Sequence, residues 1–136
     1  MVIGSGIDIV EVGRVQAIMD KWQDSFFKKI FTDNELAYAH SKKYAAEHLA
    51  ARIAIKEALV KAFSNDGKKH LGKWKDVEVS NDKSGRPYLN LYGNFKRVKK
   101  KRNIDQIIIS ASHTHRYAVA SVIITNKATR NGKVKS

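Results

Sequence analysis

Cysteine is absent from this chain. Disulfides and thiolate metal sites are thereby excluded. There is one proline, and no stretch is rich in proline, glycine or serine, so no linker divides the chain. No apolar run approaches the ~20 residues that a membrane-spanning helix needs. The opening MVIGSGIDIVEV has neither a basic n-region nor a signal-type cleavage site. A cytoplasmic location is the expectation. Acidic residues are also scarce: 13 Asp and Glu stand against 26 Lys and Arg, a formal net charge of +13. Such a field favours an anionic partner. Nucleic acid, a phosphorylated small molecule, an acidic protein and a membrane surface all qualify.

What is present suits a folded domain. Of the 136 residues, 43% are hydrophobic, enough for a core and too many for a disordered chain. Residues 2 to 10, VIGSGIDIV, predict a strand. Residues 11 to 22 place Val12, Val15, Ile18, Met19 and Trp22 at helical spacing. Thr32 or Asp33 before NELAYAH predicts a capped helix start. Residues 44 to 64 predict the longest helix, rich in Ala and Leu. NDGKKHLGK breaks it. KDVEVS and YLNLYG alternate around NDKSGRP, the pattern of a hairpin with a long loop. QIIISASH and RYAVASVII predict two more strands joined by a turn around residues 113 to 115. One strand, then helices, then antiparallel strands is an α+β order. A single domain over 1–125 and a basic, flexible tail over 126–136 follow.

The long helix poses a question. RIAIKEALVKAF, residues 52 to 63, carries Arg52, Lys56, Glu57 and Lys61 inside an apolar run. Glu57 and Lys61 lie one turn apart beside Ala50 and Ala54, with Glu47 nearby. Either they form an ordinary i,i+4 pair on a solvated face, worth a few tenths of a kcal/mol, or they do chemistry. The first strand holds a second anomaly. Alternation puts Gly4, Gly6 and Asp8 on one face. A carboxylate there is costly unless exposed, paired or metal-bound. The glycines admit a ligand or another backbone. Asp8 and Glu57 together offer the two hard-oxygen ligands with which Mg²⁺ is usually held, and Lys61 could neutralise phosphate charge.

These residues also carry a resemblance. GIDIVEVGR at 6–14 and ARIAIKEALVKAF at 51–63 resemble the two signature motifs of the phosphopantetheinyl transferases, in their short bacterial holo-acyl-carrier-protein synthase form. SGRPYL at 84–89 and ISASHTHRYAVASVII at 109–124 match later blocks in order and spacing. The resemblance implies transfer of the 4′-phosphopantetheine arm of coenzyme A to a serine of an apo-acyl carrier protein, releasing adenosine 3′,5′-bisphosphate, with Mg²⁺ required. It implies Asp8 and Glu57 as metal ligands and Lys61 as a phosphate contact. It places Arg52, Ser112 and His113 close to the nucleotide, and Gly85, Arg86 and Pro87 near the adenine. Arg14 falls on the helix against which the carrier docks, and Lys21, seven residues on, can share its face. A trimer with active sites between subunits is implied. Ile53 departs from the pattern, standing where the family usually has Phe or Trp. So does the longer, more basic NFKRVKKKRN.

Two rival readings come from the residues. KRVKKKR at 96–102 is basic at six of seven positions, with Phe95 and Tyr92 nearby. Basic patches with aromatics suit a nucleic-acid-binding module. His113 and His115 could point the same way on a strand as metal ligands, but two histidines without cysteine make a thin zinc site.

Overall fold

The computed structural model describes residues 1–64 and 72–127, with the side chains of 22–24 left aside. The tail from 128 onward, most of the helix-breaking stretch 65–73 and the side chain of Trp22 lie outside the described residues. Strand β1 (Val2–Glu11) leads into helix α1 (Val12–Ile30), then α2 (Asp33–His40) and α3 (Ala45–Phe63). A 3-10 turn, Trp74–Asp76, precedes strands β2 (Val77–Asn81) and β3 (Pro87–Leu91). Helix α4 (Gly93–Lys101) and strands β4 (Ile104–His113) and β5 (Tyr117–Asn126) complete the chain. Strand β5 lies between β1 and β4, antiparallel to both, while β2 and β3 form a separate hairpin.

Helix α3 lies across the three-stranded sheet, and its sequence explains how. Ala50, Ala54, Ala58 and Ala62 are buried along it, opposite Ala118, Ala120, Val122 and Ile124 of β5. Alanine on the helix lets the sheet come close. Glycine on β1 lets it come closer: a Cβ at Gly6 would collide with the Ala58 carbonyl, and one at Gly4 with that of Ala62. The two glycines therefore serve the approach of another backbone. Below this interface, Ile55, Leu59 and Phe63 join Val77, Val79 and Phe95 in one core cluster. A second cluster unites α1, α2 and the first half of α3 through Val12, Val15, Phe27, Phe31 and Leu49.

Two basic residues of α3 turn inward. Lys56 is fully buried and donates to Glu35 Oε1 at 2.8 Å, to the Ile30 carbonyl at 2.7 Å and to the Trp74 carbonyl at 3.0 Å. Its ammonium so joins α1, α2 and the segment before β2. Glu35 is buried too. It completes the capping box that starts α2 at Thr32, accepting from the Thr32 amide at 2.9 Å, and it accepts from the Val79 amide at 2.9 Å. Burial pulls the Lys56 pKa down, and the Glu35 carboxylate pulls against that. Arg52, one turn earlier, stacks on the Tyr38 ring at 4.3 Å and donates to Asn81 Oδ1 at 2.6 Å.

Two elements differ from the sequence reading. Helix α1 runs to Ile30 rather than residue 22, because Phe27 extends the buried stripe of Val12 and Val15 by further turns. The basic stretch between strands is helical as α4. Phe95 and Val98, three apart, are its only apolar side chains, too few to register as a period. Phe95 is buried against Phe63, with ring centroids 6.2 Å apart, so it offers no stacking surface to a nucleic acid. Strand β5 continues to Asn126, two residues past the RYAVASVII stretch. No described helix is long and apolar enough to cross a membrane.

Candidate active site

Three of the expected residues converge. The side chain of Asp8 faces α3 from β1, and Lys61 Nζ reaches across to Asp8 Oδ1 at 3.0 Å. The same ammonium donates to the Ile7 carbonyl at 3.0 Å. Lys61 thus spans two elements instead of closing a helical pair with Glu57. Its side chain is 55% exposed against 12% for Asp8, so the ammonium forms the wet rim of the site. Asp8 Oδ2 is buried and has no hydrogen-bond partner. Glu57 stands one turn before Lys61, and burial, followed by the carboxyl of Asp8 beside it, raises its pKa to about 7. Lys61 acts in the opposite direction.

Such a pair wants a cation. Two neighbouring carboxyls cannot both ionise cheaply, and Asp8 adds in this way to the burial that raises Glu57. A buried carboxylate oxygen without a partner costs free energy until something meets it. Among the described residues, no group of three or more His, Cys, Asp or Glu is arranged to hold a metal. A site of two carboxylates is of the kind that Mg²⁺ accepts, because Mg²⁺ keeps several waters and takes further oxygens from bound phosphates.

The other expected residues lie elsewhere. Helix α3 rises ~1.5 Å per residue, so Glu47 sits roughly 15 Å from Glu57 along it. There His113 Nδ1 meets Glu47 Oε1 at 2.9 Å, and His115 Nδ1 meets Oε2 at 2.7 Å. The two histidines thus share one carboxylate, each through its Nδ1. The turn between β2 and β3 is built by Asp82. Its Oδ1 accepts from the amides of Ser84 and Arg86, each at 2.9 Å, and from the Ser84 hydroxyl at 2.6 Å. These bonds, the Ser84 hydroxyl first, hold the Asp82 pKa below its ordinary value. Gly85 has φ +89°, a conformation that disfavours any residue with a Cβ. Asn81 donates to the Gly85 carbonyl at 2.9 Å while its Oδ1 receives Arg52. Arg52, expected beside the nucleotide, is thus buried and reaches the Gly85–Arg86–Pro87 turn only through Asn81. Arg14 and Lys21 are exposed on α1, Arg14 lying 3.8 Å from Glu11.

Glu47, Asn81 and Asp82 escape a reading of the sequence as site residues. Each acts on a turn that only the fold brings to it. Asn81 and Asp82 had one local signal, the turn-forming NDKSGRP. Glu47 had none, since its partners lie 66 and 68 residues away.

Comparison with known proteins agrees with this geometry. A family model, the 4′-phosphopantetheinyl transferase superfamily, matches residues 4–122. A holo-[acyl-carrier-protein] synthase of Halothermothrix orenii is 43% identical over 123 residues, covering 90% of this chain and 97% of its own. The crystal structure of a holo-(acyl-carrier-protein) synthase from Bacillus anthracis, in complex with CoA (3′,5′-ADP), superposes with a TM-score of 0.74 at 32% identity, covering 93% of this chain and 99% of its own. That of the Neisseria meningitidis enzyme gives 0.82 at 25% identity, covering 93% and 100%. The motifs of β1 and α3, the sheet that brings them together and the extent of the match carry one conclusion: the chain belongs to the 4′-phosphopantetheinyl transferase superfamily.

Proposed function

We propose that this protein moves the 4′-phosphopantetheine group of coenzyme A onto a serine of an apo-acyl carrier protein, giving the holo-carrier and adenosine 3′,5′-bisphosphate. The observation that carries this reading is the meeting of Asp8, Glu57 and Lys61 where β1 crosses α3, in a chain similar over nearly its whole length to holo-acyl-carrier-protein synthases. The serine oxygen attacks the phosphorus that bears the pantetheine arm. The bond from that phosphorus to the bridging oxygen breaks, and the bisphosphate leaves.

Asp8 and Glu57 would hold Mg²⁺, which supplies positive charge to diphosphate oxygens when bound. Lys61 is exposed enough to leave Asp8 and hold a phosphate oxygen as charge develops on it. The Gly85–Arg86–Pro87 turn, fixed by Asp82 and Asn81, offers a rigid edge to the adenine. Arg52 supports it from behind. Arg14 and Lys21 offer positive charge to an acidic carrier.

A trimer fits the open face of the sheet. Ile7, Ile9, Ile108, Tyr117, Val119 and Ile123 are exposed on it, and cross-strand pairing puts them side by side. A contiguous apolar face of this kind marks an interaction surface. Lys61 borders a groove of about 490 Å³ that opens among Ser5, Ile7, Ser121 and Ile123 of this same face. A neighbouring subunit there would complete the site.

The direct test is to mix the protein with apo-acyl carrier protein, coenzyme A and Mg²⁺, and to weigh the carrier by mass spectrometry. Growth of the carrier by one phosphopantetheine, dependent on Mg²⁺ and lost in Asp8→Ala and Glu57→Ala, is the expected result. An unchanged carrier mass would overturn the reading.

A further inference from the structure

The cluster at the start of α3 does more than join a helix to a turn. Glu47 is buried at the helix N-terminal end, and both of its oxygens are engaged by imidazoles from the β4–β5 turn. A carboxylate can only accept, so in each ring the proton must sit on Nδ1. The Glu47 pKa lies below its ordinary value. Burial is the largest single influence and acts upward, yet the bonds and charges of His115 and His113 outweigh it and hold the carboxyl below its ordinary range.

The neighbours of the cluster fix the rings further. The His48 ring contacts His113 edge-on at 5.1 Å, and the Tyr44 ring contacts His115 at 5.0 Å. His48 is no rival cation: burial, then His113 and Arg52, keep its pKa down. Lys43 and Tyr44 line an open groove of about 500 Å³ with Glu47 and His115. The structure thus holds a buried anion, two imidazoles tied to it by one nitrogen each, and open space beside His115, while His113 is partly exposed.

We propose that Glu47 is a positioning residue, one carboxylate that sets the ring orientation and proton placement of both His113 and His115 and leaves their Nε2 atoms as the nitrogens offered to a phosphate of coenzyme A. Phosphate oxygens accept hydrogen bonds, so the engaged ring is an imidazolium that donates from both nitrogens, to Glu47 on one side and to phosphate on the other. Glu47 balances the charge that this ring carries. The choice of ligand rests on the function proposed above. The hold of Glu47 on the rings does not.

The experiment has two readouts on the full chain. Long-range proton–nitrogen NMR, at a pH where the rings are neutral, reports which nitrogen carries the proton. Both rings should show the Nδ1–H form in the wild type, and Glu47→Gln should lose it in at least one. Steady-state kinetics should show KM for coenzyme A rising about tenfold or more in Glu47→Gln, as expected for a lost charge-assisted bond, with a smaller fall in kcat. His113→Ala should give a rise no larger than that of Glu47→Gln, and the double variant less than the sum of the two. Glu47→Asp, which keeps the charge, should restore part of the loss and serves if Glu47→Gln does not fold. Nε2–H rings in the wild type, or additive effects of the two substitutions, would overturn the proposal. Nδ1–H rings in a wild type that binds no coenzyme A would overturn the choice of ligand and the proposed function, and leave only the hold of Glu47 on the rings.

Discussion

Lys56→Met should be among the most damaging single substitutions in this fold, although it removes no catalytic group. The methionine keeps most of the apolar stem and deletes the ammonium. Three bonds go at once, to Glu35, Ile30 and Trp74. Glu35 keeps its two amide donors, Thr32 and Val79, but loses the cation that balances it at 0% exposure. Breaking a buried ion pair by removing one partner costs about 3–5 kcal/mol. The two carbonyls left without a donor are part of that cost rather than an addition to it. Against a total stability of roughly 5–15 kcal/mol, such a loss moves the unfolding midpoint far down. Urea denaturation at neutral pH measures it. Lys56→Met combined with Glu35→Gln should be more stable than Lys56→Met alone by about 1 kcal/mol or more, because no unpaired charge then remains buried. The physical account is wrong if Lys56→Met costs under about 1 kcal/mol, the range of an exposed pair, or if the second substitution adds its own full cost.

Lys61→Met reverses that pattern. Its pair with Asp8 is half exposed, so the melting temperature should barely move, while kcat should fall about a hundredfold or more if the ammonium meets phosphate in the transition state. Near wild-type kcat would remove it from the site. Glu57 has a folded pKa raised to about 7, above its unfolded value. Its stabilising contribution is therefore complete below the unfolded pKa and lost as pH rises through 7. Thermal scans of the metal-free protein should show this slope, Glu57→Gln should flatten it, and Mg²⁺ should stabilise the wild type increasingly above pH 7. Ile9→Asp, on the open face of edge strand β1, should yield smaller particles in sedimentation and lower activity; an unchanged mass would place any subunit contact elsewhere. Arg14→Glu should raise KM for the carrier and flatten its salt dependence while sparing KM for coenzyme A, and equal effects on both would exclude α1 as the docking surface.

Much of this protein was legible in its residues because the signals are local. The alanine-rich period of α3, the alternation of β5 and the capping signal at Thr32 each lie within one element. The spacing of Glu57 and Lys61 fixes their common face on any helix. Helix α4 was not legible, because its helical state depends on Phe95 finding Phe63. The four charges of RIAIKEALVKAF show where sequence stops. Arg52 and Lys56 are one turn apart, as are Glu57 and Lys61, and nothing in the string separates the two pairs. Packing separates them. One pair points into the space between α2, the 3-10 turn and the β2–β3 hairpin, where buried partners neutralise it. The other opens toward β1, where Asp8 waits 53 residues away in sequence. The periodicity of a chain decides which side chains travel together. Only the tertiary structure decides what each face meets, because the partners that bury, pair or leave open a charge come from other elements.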